Sequence, residues 1–357
     1  MPSNYGSLLQ SVATQRIIEA LGHQCEIINY VRKDERGLQG ILSSMVGKKE
    51  WNRNLLKKFA YIILRYPGEW MNQRFFDRMR KQHLKLTPVC YTQEELKQLK
   101  ADIFMTGSDQ VWGPLFRVKY DSAYFLDFVG SNSKKISYAA SLGRTEFTPD
   151  ILQAYKFYMS TYTHLTVREN SAVELLKNLE LHCDGQVLDP TLLIDKNQWC
   201  QYIKKEIKGE YVLIYEIHNN SRLDDYAKRF AAHVDLPLVR VTPTLHQVAR
   251  GGKMIFLPNI GEFLSYIKNA TYMVTDSFHG TAFAINLNTQ FIEVLPNTKT
   301  GSRNQSILQF TGLQDRIVTD FNDFSLADKK IDFEKVNKII ATERLKSINT
   351  LKTIIEQ

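Results

Sequence analysis

The run Tyr272-Met273-Val274-Thr275-Asp276-Ser277-Phe278-His279-Gly280-Thr281 decides how this chain is read. Four uncharged residues, three of them β-branched or aromatic, make a buried strand. Asp276-Ser277 then turns the chain into a helix over residues 279–287. The same unit repeats on either side. Upstream, 212–215 and 237–241 read as strands and 223–233 and 260–269 as helices; downstream, 291–294 is a strand. Earlier in the chain, 25–28, 102–106, 136–139, 164–167 and 186–188 read as strands. Between and around them, 8–21 (stopped by Gly22), 94–99, 151–159 and 171–179 have helical spacing, and 333–355 is a long amphipathic helix.

Strands alternating with helices imply parallel sheets covered by helices. A length of 357 residues suggests about two domains. The expected fold is α/β: two doubly wound Rossmann-like domains facing a cleft, over 1–195 and 205–330, with a polar joint at 193–209 and a C-terminal helix over 331–357. A doubly wound domain ordinarily opens on an apolar strand, whereas this chain leads with Asn4-Tyr5-Gly6, so the first domain is expected to begin with a loop.

Residues 31–90 break the alternation. They are helical, basic and aromatic, and Pro67-Gly68 is expected to split them into two helical parts. Of the chain's 46 Lys and Arg and 38 Asp and Glu, 14 and 5 fall in this segment, leaving 32 and 33 elsewhere. The net charge of +8 is therefore one local basic surface, not the field of a nucleic-acid binder. That surface either contacts anionic lipid headgroups or a substrate diphosphate, or is a solvated helical cap. Split at Pro67, its helices offer no clean apolar stripe with a basic face, which favours the cap. No apolar run approaches the ~20 residues that span a bilayer. With no secretory leader pattern and four cysteines that form no C-x-x-C pair, the expected setting is reducing and cytoplasmic.

Ligands of open α/β sheets bind beyond the carboxyl ends of the strands. Four polar clusters fall there: Gly107-Ser108-Asp109-Gln110, Ser141-Leu142-Gly143, Arg168-Glu169 and Asp276 to Thr281. The last opens a helix, whose free N–H groups suit phosphate or carboxylate. The positive helix end disfavours a charged imidazole, so His279 acting as a proton donor needs a compensating anion, from a substrate or from Asp276. Equally, Ser277 or Asp276 is simply the helix cap. Arg168 either clamps an anion or forms a salt bridge with Glu169 or another acid. Asp189 before Pro190 reads as a turn. Trp112, Tyr138 and Phe310 are sugar-stacking candidates with core packing as the plainer fate. No dinucleotide fingerprint, phosphate-binding P-loop, zinc motif or serine-hydrolase elbow is present, so no metal and no bound cofactor is expected.

In order along the chain, Asn4-Tyr5-Gly6 with Leu9-Gln10, Gly107 to Trp112, Ser137 to Ser141, Val167-Arg168-Glu169, Asp189 to Leu193 and Thr275 to Thr281 resemble the polysaccharide pyruvyl transferase family. The resemblance implies a GT-B-like fold and transfer of pyruvate from phosphoenolpyruvate, as donor substrate, to a saccharide. The product is a ketal on a surface-polysaccharide precursor, and phosphate is released. It makes His279 the general acid that protonates the methylene carbon, and places Arg168, Ser277 and Gly280 at the donor. Many members carry arginine shortly before this histidine, where this chain has Ser277-Phe278; Arg303 or Lys299 is the candidate replacement. Asn4, Gly6, Ser108, Asp109, Gln110 and Ser141 are the candidates for the cleft and the acceptor. The partner expected is a saccharide, lipid-linked or free; a lipid-linked one would place the enzyme at the inner face of the membrane through residues 31–90. Two other readings stand beside this one: a nucleotide-sugar glycosyltransferase of the same shape, and a non-catalytic saccharide-binding protein.

Overall fold

A computed structural model describes residues 3–32, 35–45, 51, 54–113, 120–296 and 301–357. The chain divides into two compact units, Met1–Pro190 with Thr350–Gln357, and Thr191–Asn349. The division falls a few residues before the expected joint, and the end of the last helix belongs to the first unit.

The first unit opens on α1 (Tyr5–Ala20), capped by the Asn4 side chain, which accepts from Ser7 N–H at 2.8 Å. It continues through α2 (Gly37–Met45), α3 (Leu55–His83), α4 (Gln93–Leu96), β1 (Ile103–Thr106), β2 (Lys134–Ala140), α5 (Pro149–Met159), β3 (His164–Val167), α6 (Asn170–Asn178) and β4 (Gly185–Gln186). The four strands lie in sequence order and pair in parallel. Between β2 and β3 the register shifts after Ser137, where Ala139 takes φ 53°. Side chains replace the lost ladder: Thr166 Oγ1 donates to Ser137 carbonyl at 2.8 Å, and Ala139 N–H donates to Thr166 Oγ1 at 3.2 Å. Such a bulge re-aims the strand end that follows it.

Two expectations are corrected here. Residues 25–28 are not a strand of the sheet; the chain there makes only isolated bridges, Ile27 to Leu86 and Tyr30 to Cys90. The Gln15 side chain stands in for ladder partners, donating to Cys25 and Lys85 carbonyls at 2.9 and 3.1 Å. And Pro67-Gly68 does not split the basic segment, because α3 runs unbroken through Pro67. Proline removes the bond to the carbonyl four residues back, which is that of Ile63. Ile63 and Pro67 both lie on the exposed side, away from the packed side, which is anchored by buried Tyr61, Asn72, Phe76 and Met79. Phe76 packs edge-on against Tyr5 of α1 at 5.1 Å, and Tyr61 packs with Ile41 and Met45 of α2.

The second unit runs from within α7 (Pro190–Leu193) through α8 (Lys196–Cys200), β5 (Val212–Tyr215), α9 (Ser221–His233), β6 (Leu238–Thr242), β7 (Lys253–Phe256), α10 (Ile260–Lys268), β8 (Tyr272–Thr275), α11 (Phe278–Leu287), β9 (Phe291–Glu293) and α12 (Ser302–Thr311) to the greater part of α13 (Phe333–Glu356). Its five parallel strands are ordered β7-β6-β5-β8-β9. The order of winding thus reverses between β5 and β8. That reversal is the topological switch point at which open α/β sheets bind ligands. Val212, Ile214, Val274 and Ile292 of the sheet pack under Leu223, Tyr226 and Phe230 of α9, so the strand ends are held by a dense core. Strand β7 and helix α12 have no counterpart in the sequence reading; Gly251-Gly252 and Pro258 bracket a run too short to stand out. Among the described residues no helix is long and apolar enough to cross a membrane.

Candidate active site

His279 lies in the first turn of α11, at the carboxyl end of β8 beside the switch point, and is 7 % exposed. The short turn between strand and helix is fixed by hydroxyls. Thr275 Oγ1 donates to Tyr215 carbonyl at 2.7 Å and accepts from Ser277 N–H at 3.0 Å. Ser277 caps α11, its hydroxyl accepting from Gly280 N–H at 3.2 Å. The capping reading of Ser277 therefore holds. Gly280 has a steric role: a Cβ there would stand 2.5 Å from Thr275 Oγ1 and 3.0 Å from Tyr215 Cδ1. Only glycine lets α11 seat this closely on β5 and β8.

Asp276, fully buried, accepts from the backbone N–H of Ile217 and His218 at 3.0 and 3.3 Å, and His218 Nδ1 stands 3.3 Å from its carboxylate. Its hydrogen bonds hold the loop after β5 rather than His279. The switch point thus carries two imidazoles, His218 after β5 and His279 after β8. Next to them Glu216, also buried, accepts from Arg240 Nη1 at 3.1 Å, Arg250 Nη1 at 2.6 Å and Asn220 N–H at 2.8 Å. Burial raises its pKa, with Asp224 and Asp276 adding, while the Asn220 N–H and Arg250 oppose the rise.

A third carboxyl, Glu293 at the end of β9, is fully buried and accepts from Asn304 Nδ2 at 2.6 Å. Its other oxygen is hydrogen-bonded to Thr281 Oγ1, which itself donates to Ser277 carbonyl at 3.0 Å. One hydroxyl has one proton. Its proton serves either Glu293 or the cap carbonyl; both bonds are made together only when Glu293 is itself protonated and donates. Burial, with Asp276 adding and the Thr281 and Asn304 hydrogen bonds opposing, pushes Glu293 up to about 8, so the neutral acid predominates at pH 7 and can make that donation.

Of the two candidate replacements for the missing arginine, Arg303 on α12 is buried, with its guanidinium carbon 5.9 Å from the centroid of the Phe278 ring. The fold brings it to the His279 turn from 24 residues away in the chain. Lys299 lies outside the described residues.

In the first unit the polar clusters also converge at the strand ends. Arg168, after β3, donates from Nη1 to Asp189 at 2.6 Å and to Ser108 Oγ at 3.0 Å, and Ser108 donates to Asp189 at 2.7 Å. Arg168 is thus a buried, ion-paired residue, and its partner is chiefly Asp189 rather than Glu169, 3.8 Å away. The reading of Asp189 as a turn is corrected accordingly: it is a buried counter-charge. Glu169 instead ties down the loop after β2, accepting from Ser141 Oγ at 2.8 Å and Leu142 N–H at 3.0 Å. Asp109 takes φ 100°, a strained conformation for a residue with a side chain, and accepts from Ser7 Oγ of α1 at 2.5 Å. Asn4 and Gly6 belong to that same helix start, Asn4 as its cap and Gly6 buried in its first turn. Gln110 lies over Gly143, which admits the contact because it has no Cβ: one there would stand 2.8 Å from the Gln110 side chain. Trp112 and Tyr138 are buried, as core packing requires. Among the described residues no group of three or more His, Cys, Asp or Glu is arranged to hold a metal ion.

His218, Glu216 and Arg250 escaped the sequence reading. They follow or face the first strand of the second unit, and in a doubly wound order the first strand borders the switch point, which was the available signal.

A family model described as polysaccharide pyruvyl transferase matches residues 4–298 of the chain. Comparison with curated protein sequences found no match. Among solved structures, one described as a UDP-N-acetylglucosamine 2-epimerase from Listeria monocytogenes is 9 % identical, with a TM-score of 0.50, covering 95 % of this chain and 88 % of that one. A UDP-N-acetylglucosamine 2-epimerase from Rickettsia bellii is 14 % identical, with a TM-score of 0.45 and coverages of 92 % and 98 %. The E. coli heptosyltransferase WaaC with ADP is 11 % identical, with a TM-score of 0.41 and coverages of 96 % and 98 %. At such identities the likeness concerns the fold alone, and it is the first of the three that supports it.

Proposed function

The chain belongs to the polysaccharide pyruvyl transferase family, and from that premise we propose that it moves the pyruvyl group of phosphoenolpyruvate onto a saccharide as a ketal. The acceptor is a precursor of a surface polysaccharide. One observation carries the reading: His279 stands in the first turn of a helix at a Rossmann switch point, within the region the family model matches.

In the proposed chemistry His279 gives its proton to the methylene carbon of the donor, making a methyl group and an oxocarbenium-like carbon. A sugar hydroxyl attacks that carbon, the carbon–oxygen bond to phosphate breaks, and a second hydroxyl closes the ketal. Of the two hydroxyl protons, one restores His279 and the other leaves on phosphate as hydrogen phosphate. The donor carries about three negative charges, which the start of α11 and the Arg303 guanidinium suit. The same anion offsets the unfavourable field that the helix end exerts on a charged imidazole. In the first unit, Arg168 is the proposed contact for an anionic group of a substrate, oriented by Asp189 and Ser108.

The test is His279→Ala. Calorimetric binding of phosphoenolpyruvate should change by less than about threefold, since the imidazole is not a main anion contact. Phosphate release from phosphoenolpyruvate, with methyl hexosides as acceptor probes, should be lost. Undiminished release in this variant would remove His279 from the proton-donor role.

A further inference from the structure

The unbroken course of α3 creates a surface that a helix split at Pro67 would not have. Leu55, Phe59, Ile63, Tyr66 and Trp70 recur at spacings of four, four, three and four, so they stand in one row along the helix. All are exposed: Leu55 by 82 %, Phe59 by 65 % and Ile63 by 56 %. Leu56, Leu64 and Met71 widen the row to about half the circumference, with Leu64 exposed by 69 %. The face is about 25 Å long, from the rise per helical residue. Scattered exposed apolar residues are ordinary; a continuous face of this length is a binding surface.

Beyond Trp70 the same side of the helix becomes charged. Arg74, Arg78 and Lys81 continue the exposed row toward the end of α3, and Arg74 lies over the Trp70 ring at 4.7 Å. Between residues 55 and 83 there are seven Lys and Arg and only two acids. Both acids are held by arginines: Glu69 by Arg65 at 3.0 Å, and Asp77 by Arg36 and Arg80 at 2.6 and 2.7 Å. No other carboxylate of α3 is left to complement its basic end. A second copy pairing through the same face would therefore bring cations against cations or against apolar residues.

We propose that α3 is an interfacial helix, lying in the plane of an anionic membrane with its apolar row among the acyl chains and Arg74, Arg78 and Lys81 on lipid phosphates. Trp70 and Tyr66, amphipathic rings between the apolar and the basic parts, sit at headgroup level. Such docking places the enzyme where a lipid-linked saccharide is displayed, and it is independent of the donor chemistry proposed above.

The experiment is flotation of the full chain with vesicles of phosphatidylcholine alone, or with about 30 % phosphatidylglycerol, a composition that gives a negative surface. Phosphoenolpyruvate binding is measured on the same samples, so failure of docking and failure of the donor reading are told apart. The wild type should float with the anionic vesicles and be released by high salt. Phe59→Glu with Ile63→Glu should lower partitioning at least about tenfold. Arg74→Gln with Arg78→Gln should lower it by about tenfold on anionic vesicles only. Both pairs are at exposed or surface positions and should leave the thermal midpoint and phosphoenolpyruvate binding unchanged. A wild type that stays with the unbound protein on anionic vesicles overturns the proposal. So does flotation that neither pair of substitutions weakens. If instead the chain forms a dimer that the Phe59 and Ile63 substitutions dissolve, and does not float, the face belongs to a second copy and the proposal falls.

Discussion

Replacing Glu293 with Gln isolates the proton that the geometry assigns to this buried carboxyl. Gln keeps the shape and both hydrogen bonds: its N–H can donate to Thr281 Oγ1, and its carbonyl can accept from Asn304, as the neutral acid does. The folded pKa is about 8 and the unfolded one 4.5. Below pH 4.5 the carboxyl is protonated in both states, so its neutral form stabilises the fold in full. Between pH 4.5 and 8 the unfolded chain ionises while the folded one does not, and stability falls by about 1.4 kcal/mol per pH unit. The loss is complete once pH has passed the folded value. The Gln variant does not titrate. Its advantage over the wild type should therefore grow from under about 1 kcal/mol at pH 5 to about 4 kcal/mol at pH 7.5, an upper bound for so buried a group. Urea denaturation of both proteins at pH 5, 6, 7 and 8 reads this directly, because the difference between them cancels every other titrating group. A difference that stays constant with pH, or a variant that is less stable throughout, would refute a neutral Glu293. The consequence reaches the site, since Thr281 links this carboxyl to the carbonyl of the cap two residues before His279.

The same geometry sets two further outcomes. Gly280→Ala forces a methyl to within 2.5 Å of Thr275 Oγ1; overpacking of this kind costs about 1–3 kcal/mol, and a thermal midpoint equal to the wild type's would show that α11 can retreat freely. Asp189→Asn takes from the buried Arg168 guanidinium its nearest counter-charge, leaving Glu169 at 3.8 Å, and should cost about 3 kcal/mol in urea denaturation. Full retention of stability there would mean that Arg168 is neutralised by another group.

Much of the architecture was legible where short apolar runs stand between polar turns. The strands at 164–167, 212–215 and 272–275 lie where the residues place them, because a buried parallel strand needs nothing beyond a few uncharged residues. The course of α3 was not legible. Local chemistry at Pro67-Gly68 argues for a break, and the packing of Tyr61, Phe76 and Met79 overrides it. That error also hid the apolar face, since a break resets the helical phase that puts Leu55 and Trp70 in one row. The site was half legible. His279, Ser277 and Arg168 were marked by their place after strands. The partners that give them meaning were hidden: Asp189 is 21 residues from Arg168, and His218 is 58 from Asp276. Only the strand order brings such residues together, and no local pattern records it.

Every role proposed for His279 depends on the donor, and binding tests the donor without knowledge of the acceptor. The measurement is a thermal-shift titration of the full chain with phosphoenolpyruvate and, in parallel, with UDP-N-acetylglucosamine. A ligand at 100 times its dissociation constant stabilises by about 2.7 kcal/mol, which for a chain of this length raises the midpoint by about 3–4 °C. Phosphoenolpyruvate should give that shift and the nucleotide sugar none. A shift with UDP-N-acetylglucosamine alone would contradict pyruvyl transfer, making the start of α11 a nucleotide-sugar site and removing His279 from protonation at carbon.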